Sequence, residues 1–258
     1  MEPGSEFYDQ VWDQYAALDS ASPAAFHRRR LVRRLLDERA GGARSLLDAG
    51  CGPGQLLAEL ALHFPQARLA GGDVSARSLA LARTRCPDAE LFALDLGADD
   101  FETAHAARLQ RFDAIVCSEV LEHLPDDALA LARLRRLLER NGHLIVTVPG
   151  GSMSRFDVAI GHLRHYRLGL LRSRLEAAGF EVEELFAWGF PFQNLYRTAV
   201  RLASRAALPD QQAVARPGPV ARVLRSGYTA FGHVMLPLFF FNLPWFGEQL
   251  VAVARRRS

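Results

Sequence analysis

Ser45 to Gln55 reads SLLDAGCGPGQ, and the rest of the chain is organised around it. Leu46 and Leu47 look like a buried strand that ends in an acid, Asp48. Gly50, Gly52 and Gly54 then make a turn, and Gln55 opens an amphipathic helix carrying Leu56, Leu57, Leu60 and Leu62. A strand that feeds a helix through glycines leaves backbone N–H groups at the helix N-terminus, with no Cβ to hold a ligand away. The spacing is G-x-G-x-G after an acid, not the G-x-G-x-x-G of a dinucleotide-binding turn. Two readings stand at this point: a ligand-binding turn, or glycines that serve only tight strand–helix packing.

Working outward, strand and helix patterns alternate. Strands are predicted at 45–49, 67–72, 90–94, 112–117 and 143–148, separated by helices at 54–63, 75–85 and 126–139 and a short one near 99–109. Near-continuous apolar strands between amphipathic helices imply a parallel sheet covered on both faces. A helix at 168–178, closed by Gly179, precedes an alternating outer strand at 181–188, and the last strand is predicted at 248–255. Upstream, residues 1–40 read as a helical cap broken at Ser20–Pro23, with the arginines of HRRRLVRR on a solvated face or lending one guanidinium to an anionic ligand. The core is expected at 41–189 and 247–258. Residues 190–246 form an insertion that ends in YTAFGHVMLPLFFFNLPWF. That run approaches the roughly 20 residues of a bilayer span, but Pro237 would cost a helix about 3 kcal/mol. A greasy lid over the site or a lipid-touching surface is therefore expected instead.

Composition narrows the function. The chain of 258 residues is 49% hydrophobic with a net charge of +2, which demands no polyanionic partner. It contains no lysine, which excludes Schiff-base chemistry and a Walker-type phosphate loop. Three cysteines without a C-x-x-C suggest reduced thiols in a cytoplasmic setting and argue against a cysteine zinc site; no metal is expected. The first ten residues, MEPGSEFYDQ, lack an apolar core and so do not read as a leader.

Ligands of open parallel sheets bind at the carboxyl ends of the strands. Asp73 ends the second strand, where a carboxylate can accept from both hydroxyls of a ribose or, more plainly, favour the helix start at Ser75. Asp95 in ALDLG can accept from an exocyclic amine, with the Leu96 N–H facing a ring nitrogen, or merely cap a loop. Ser118 and Glu119 follow the fourth strand and should line the same cleft, with Val120 or Leu121 against a base.

Together DAGCGPG, GGDVS, ALDLG, FDAIVCSEVLEHL and GHLIVTVPGG resemble the class I S-adenosylmethionine-dependent methyltransferases, over about residues 30–185. EVLEH is most similar to the ubiquinone- and menaquinone-type small-molecule branch. The resemblance implies a Rossmann-like α/β fold with a seven-stranded sheet of order 3-2-1-4-5-7-6 and an antiparallel last strand. It also implies S-adenosylmethionine as cofactor. By position, Gly50, Gly52 and Gly54, flanked by Asp48 and Gln55, would take the methionine and ribose part. Asp73 and Val74 would take the ribose, Asp95 and Leu96 the adenine, Ser118 the sulfonium side, and Arg30 the methionine carboxylate.

For the acceptor side, His123 lies in the loop after strand four, and His162 and His165 lie in GHLRHY. Each is a candidate base or a structural residue, with Tyr166 pinning the loop and Arg164 able to hold an anion. The expected function is methyl transfer to a small apolar or amphiphilic acceptor, at oxygen, with peripheral membrane contact through 228–246 as an option. Rival readings are cyclase-type chemistry in the same pocket, a membrane-associated scaffold, and a nucleic-acid methyltransferase. The last lacks the N/D-P-P-aromatic or Pro-Cys signature after strand four.

Overall fold

Helix α1 (Pro23–Ala40) starts where Ser22 accepts a hydrogen bond from the Ala25 N–H, with proline in the first helical position. It buries Leu31, Val32, Leu35 and Leu36 against the sheet. This computed structural model describes residues 6–9, 22–207, 234, 237–244 and 246–257. Most of the aromatic N-terminal run and the proline-rich part of the insertion, with much of 228–246, lie outside the described residues.

The elements after α1 alternate: β1 (Ser45–Ala49), α2 (Gln55–His63), β2 (Arg68–Asp73), α3 (Ala76–Arg85), β3 (Glu90–Ala93), the short α4 (Phe101–Ala104), β4 (Phe112–Ser118), α5 (Asp127–Leu137) and β5 (Leu138–Pro149). Then come α6 (Arg155–Ala159), α7 (Leu168–Ala177), β6 (Phe180–Phe190), α8 (Phe192–Ala207), β7 (Leu243–Pro244) and β8 (Gln249–Arg256). The sheet order is β3-β2-β1-β4-β5-β8-β6-β7. Its seven long strands have the expected 3-2-1-4-5-7-6 order, and β8 runs antiparallel to both β5 and β6. The two-residue β7 extends the edge beyond β6, a strand not expected from sequence.

Strand alternation splits the core in two. Leu47, Ile115, Cys117, Leu144 and Val146 face α5 and α7, whereas Leu46, Ala114, Val116 and Ile145 face α1 and α2. Full burial of each large aliphatic side chain contributes about 1.5–3 kcal/mol. Because β1 pairs in parallel with β2 on one side and β4 on the other, the chain diverges at its carboxyl end. A cleft opens there.

Several boundaries differ from expectation. Helix α5 stops at Leu137 rather than 139, because Leu138 is fully buried in extended backbone and pairs with Phe112. Strand β5 therefore begins five residues before the expected 143, and the register shift between Phe112 and Ala114 absorbs the irregular stretch at Asn141, φ +63°. The expected helix near 99–109 divides at His105 into α4 and a 3-10 turn, Ala106–Arg108. In the insertion, only α8 is a long helix among the described residues; the described part of the aromatic run includes a 3-10 turn, Phe239–Phe241, followed by β7.

Candidate functional site

Local geometry explains each glycine of the turn. Gly50, Gly52 and Gly54 have φ of +80°, +51° and +81°, a region that costs other residues roughly 1–2 kcal/mol. A Cβ on Gly50 would lie 2.2 Å from Val120 Cγ2, so the turn and the loop after β4 touch. Gly54 is the left-handed N-cap of α2, and no side chain caps it. The helix thus presents its start to a polar group.

Asp73 binds this turn directly. One carboxylate oxygen accepts from the Gly52 N–H at 2.8 Å, the other from the Ser75 N–H at 2.8 Å. Burial pushes its carboxyl up, and these two hydrogen bonds oppose the shift. A carboxylate has about four lone-pair positions, so these bonds do not exhaust it. Asp73 also serves the helix start, because Ser75 is the N-cap of α3. Behind the turn, Asp48 is buried, which raises its carboxyl to about 7, with the Asp73 charge as the lesser cause.

Asp95 is exposed after β3 and accepts from the Gly97 N–H at 2.7 Å. The neighbouring Leu96 carbonyl accepts from the buried Arg133 at 2.6 Å, which fixes the backbone there. Asp73 and Asp95 share a neighbour, Tyr8, whose hydroxyl is pushed up to about 12 by burial and by the charges of Glu122, Asp73 and Asp95. Residues 6–9 thus lie across the cleft. Asp9 accepts from the Ser75 hydroxyl and the Arg77 N–H, Phe7 approaches Gly161, and the Tyr8 ring meets His123 edge-on at 5.6 Å. Sequence reasoning missed Tyr8 and Asp9, because nothing local distinguishes them from other residues of a polar-aromatic helix.

The end of β4 carries a polar network. The Ser118 hydroxyl is engaged with Thr147 at 2.8 Å, and Thr147 donates to Glu119 at 3.1 Å. Glu119 has φ +58° and also accepts from Gln249 at 2.8 Å, with Arg28 at 3.6 Å. Burial pushes its carboxyl up, but Arg28 and the Gln249 hydrogen bond bring it below its ordinary value. Arg28, not Arg30, is the α1 guanidinium at this network. Arg30 is exposed and stacks 4.8 Å from the Phe240 ring centroid, because it lies two positions farther around the helix.

The acceptor-side residues form one group. Glu122 is fully buried, and both its carboxylate oxygens lack a hydrogen-bond partner among the described residues. Burial and the Glu119 charge push its carboxyl well up. His162 Nε2 stands 4.0 Å from Glu122, its ring meets His123 at 4.7 Å, and its Nδ1 lies 3.2 Å from His165 Nε2. His165 in turn lies 3.8 Å from Asp157. Burial keeps all three imidazoles below their ordinary pKa, His162 down to about 4. Arg164 donates to the Leu124 and Pro125 carbonyls at 2.6 and 2.8 Å and lies 3.6 Å from Asp127. Tyr166 donates to Asp127 at 2.8 Å, so these two residues tie the segment to the loop after β4.

The insertion closes the far side. Asn242 accepts from the Phe192 and Gln193 N–H groups and so caps α8, while Phe239 packs on Tyr196 and His27. Arg197 and Arg201 on α8 pair with Glu248, and Arg201 also donates to the Ser152 carbonyl at 2.9 Å.

Comparison with known proteins accords with this geometry. A family model described as a methyltransferase domain matches residues 24–185. The chain is 37% identical over 140 residues to trans-aconitate 2-methyltransferase of Azoarcus sp. (strain BH72), covering 54% of this chain and 51% of that protein. It thus spans about half the length of that relative. It is 28% identical over 219 residues to ubiquinone biosynthesis O-methyltransferase of Thiobacillus denitrificans, covering 75% of this chain and 88% of that one. Among solved structures, the [4+2]-cyclase SpnF matches with a TM-score of 0.65 at 21% identity, over 100% of this chain and 98% of that one. Phosphoethanolamine N-methyltransferase 2 of Haemonchus contortus, in complex with S-adenosyl-L-methionine, matches with a TM-score of 0.60 at 16% identity, over 92% of this chain and 54% of that one. The chain belongs to the methyltransferase-domain family.

Proposed function

We propose that the chain methylates a small amphiphilic molecule, at an oxygen atom, in the space between the His123 wall and the aromatic cap of the insertion. The observation that carries this reading is the bond between Gly52 and Asp73 within a turn of three left-handed glycines. It leaves carboxylate lone pairs and an uncapped helix start on one side of the sheet, a donor set that fits an adenosyl group with an amino-acid tail. The cofactor supplies an already activated methyl on a cationic sulfur. In this reading Asp73 holds the ribose hydroxyls, the Leu96 backbone and Asp95 meet the adenine, and Gly50, Gly52, Gly54, Gln55 and Val74 shape the cradle. Arg28, beside Glu119, is better placed than Arg30 to meet the amino-acid end.

Alignment of two reactants can supply about 7–11 kcal/mol of the barrier. Tyr8 and Phe7, lying against His123 and Gly161, would exclude water from the reacting pair. A base adds roughly 10²–10⁴-fold when the acceptor is a hydroxyl, and His123, uncharged because of its burial, is the group proposed for that proton. The name of the ubiquinone biosynthesis relative supports oxygen as the methylated atom. An amphiphilic acceptor is supported by the cap, where Phe190, Phe240, Phe241, Leu243 and Phe246 are each about half or more exposed around the buried Phe239. No helix among the described residues is long and apolar enough to cross a membrane. Peripheral contact through this cap is therefore proposed in place of a span.

Isothermal titration with S-adenosylhomocysteine tests the cofactor half, and an acceptor screen that records its release tests the transfer. Binding without any release, with an acceptor rearranged instead, would replace methylation by cyclase-type chemistry.

A further inference from the structure

We propose that Asp157, His162 and His165 form a binding site for a divalent transition-metal ion. One ligand atom of each lies within 4.8 Å of the other two. His162 Nδ1 and His165 Nε2 are 3.2 Å apart, and His165 Nε2 and Asp157 Oδ1 are 3.8 Å apart. Ligands bound at about 2.0–2.2 Å around one ion stand about 3–4 Å from each other. The His162–His165 and His165–Asp157 spacings fall in that range.

The surroundings of the three ligands are arranged as a metal site requires. Asp157 Oδ2 is held by the Ser154 N–H at 2.6 Å and by its hydroxyl at 2.7 Å, in the capping box that starts α6, which leaves Oδ1 turned to His165. A neutral imidazole has one nitrogen lone pair, so a metal on His162 Nδ1 places the ring proton on Nε2. That nitrogen faces Glu122 at 4.0 Å. A carboxylate behind a ligating histidine fixes its tautomer and raises its basicity. Glu122 is fully buried, with neither oxygen hydrogen-bonded among the described residues, and a ligating His162 would turn its ring N–H to that side. His165 Nδ1, likewise buried, is turned toward the Gly151 backbone, the second usual partner of a ligating imidazole.

The donor set chooses the ion. Two imidazoles and one carboxylate suit Zn²⁺, Co²⁺ or Ni²⁺, whereas Mg²⁺ takes oxygen ligands and retains water. Three protein ligands leave positions open beside His123, where an acceptor oxygen could complete the coordination. This last step alone rests on the function proposed above.

The test uses tag-free full-length protein dialysed against a chelator and titrated with Co²⁺. One ion per chain is expected, with the visible absorption of histidine-ligated cobalt. Asp157→Asn and His165→Gln should abolish that absorption, and Glu122→Gln should weaken Co²⁺ binding about 10–100-fold. S-adenosylhomocysteine binding by each variant reports separately on folding and on the cofactor reading. Absence of stoichiometric Co²⁺ binding by the wild-type protein overturns the proposal, as does unchanged affinity in folded Asp157→Asn. If the variants fail to fold, paramagnetic shifts of imidazole protons in the wild-type protein decide: shifted resonances from two histidines support the site, and their absence overturns it.

Discussion

Gly52 and Asp73, 21 positions apart in sequence, are joined by a 2.8 Å hydrogen bond from the backbone of one to the carboxylate of the other. The same carboxylate reaches the Ser75 N–H, so one side chain ties the glycine turn to the start of α3. Replacing it leaves two backbone donors without their partner, and an unsatisfied buried donor costs about 1–3 kcal/mol. Asp73→Ala is expected to lower the unfolding free energy by an amount of that order. It should also weaken S-adenosylhomocysteine binding at least tenfold in isothermal titration. Asp73→Asn retains an acceptor oxygen and should lose less of both. Equal affinity in wild type and Asp73→Ala would remove Asp73 from the cofactor site.

The contact between Gly50 and Val120 makes a second prediction. At φ +80° an alanine is disfavoured by about 1–2 kcal/mol, and its Cβ would also fall 2.2 Å from Val120 Cγ2. Gly50→Ala should therefore destabilise the protein by more than the backbone term alone. The added Val120→Ala should recover the steric part but not the backbone part. Urea denaturation of the four proteins in this cycle measures the coupling, and strictly additive effects would show that the loop after β4 yields freely.

Asp48 makes stability depend on pH in a defined direction. Its carboxyl titrates near 7 in the folded protein, raised by burial from an ordinary 3.8. Between those values the folded state holds a proton that the unfolded state has released. Stability therefore falls as pH rises through that window. Above about 7 both states are ionised and this dependence ends. Asp48→Asn should flatten the slope between pH 4 and pH 7 in denaturation curves, relative to wild type. Parallel pH profiles for the two proteins would refute the shift.

The features legible in the sequence are those written in short range. Strand and helix periods give the elements, the resemblance implies their order in the sheet, and the glycines and strand-tip acids stand within a few residues of the elements that place them. What escaped was assembled from afar. Arg28 reaches Glu119 only because of the register in which α1 packs beneath the sheet. Gln249 reaches the same carboxylate from β8, 130 positions away. Tyr8 meets His123 across the cleft from a segment whose local pattern is ordinary. Ser118 and Arg164 show their polar ends in the sequence, while their partners, Thr147 and the Leu124 carbonyl, come from other segments. The left-handed backbone of Glu119 has no sequence signal at all, since glutamate is not a residue that seeks φ +58°.

The cap carries a prediction about membranes. Phe241 and Phe246 are 69% and 63% exposed, Leu195 and Leu202 of α8 are 58% and 57% exposed, and Phe190 joins them through its backbone bond to Phe246. Residues 190–246 contain six arginines against one acid, Asp210; Arg197 and Arg201 pair with Glu248, which leaves Arg205, Arg216, Arg222 and Arg225. Exposed aromatics in a basic segment suit an anionic bilayer surface, where each basic residue contributes about 1 kcal/mol near the headgroups. The protein should cosediment with vesicles containing phosphatidylserine, less with neutral vesicles, and less again at high salt. Phe240→Ser with Phe241→Ser should reduce the bound fraction severalfold while S-adenosylhomocysteine affinity stays within twofold. Equal partition onto neutral and anionic vesicles would remove the electrostatic part. A concentration-dependent dimer abolished by the same double substitution would assign the surface to a second copy of the chain instead.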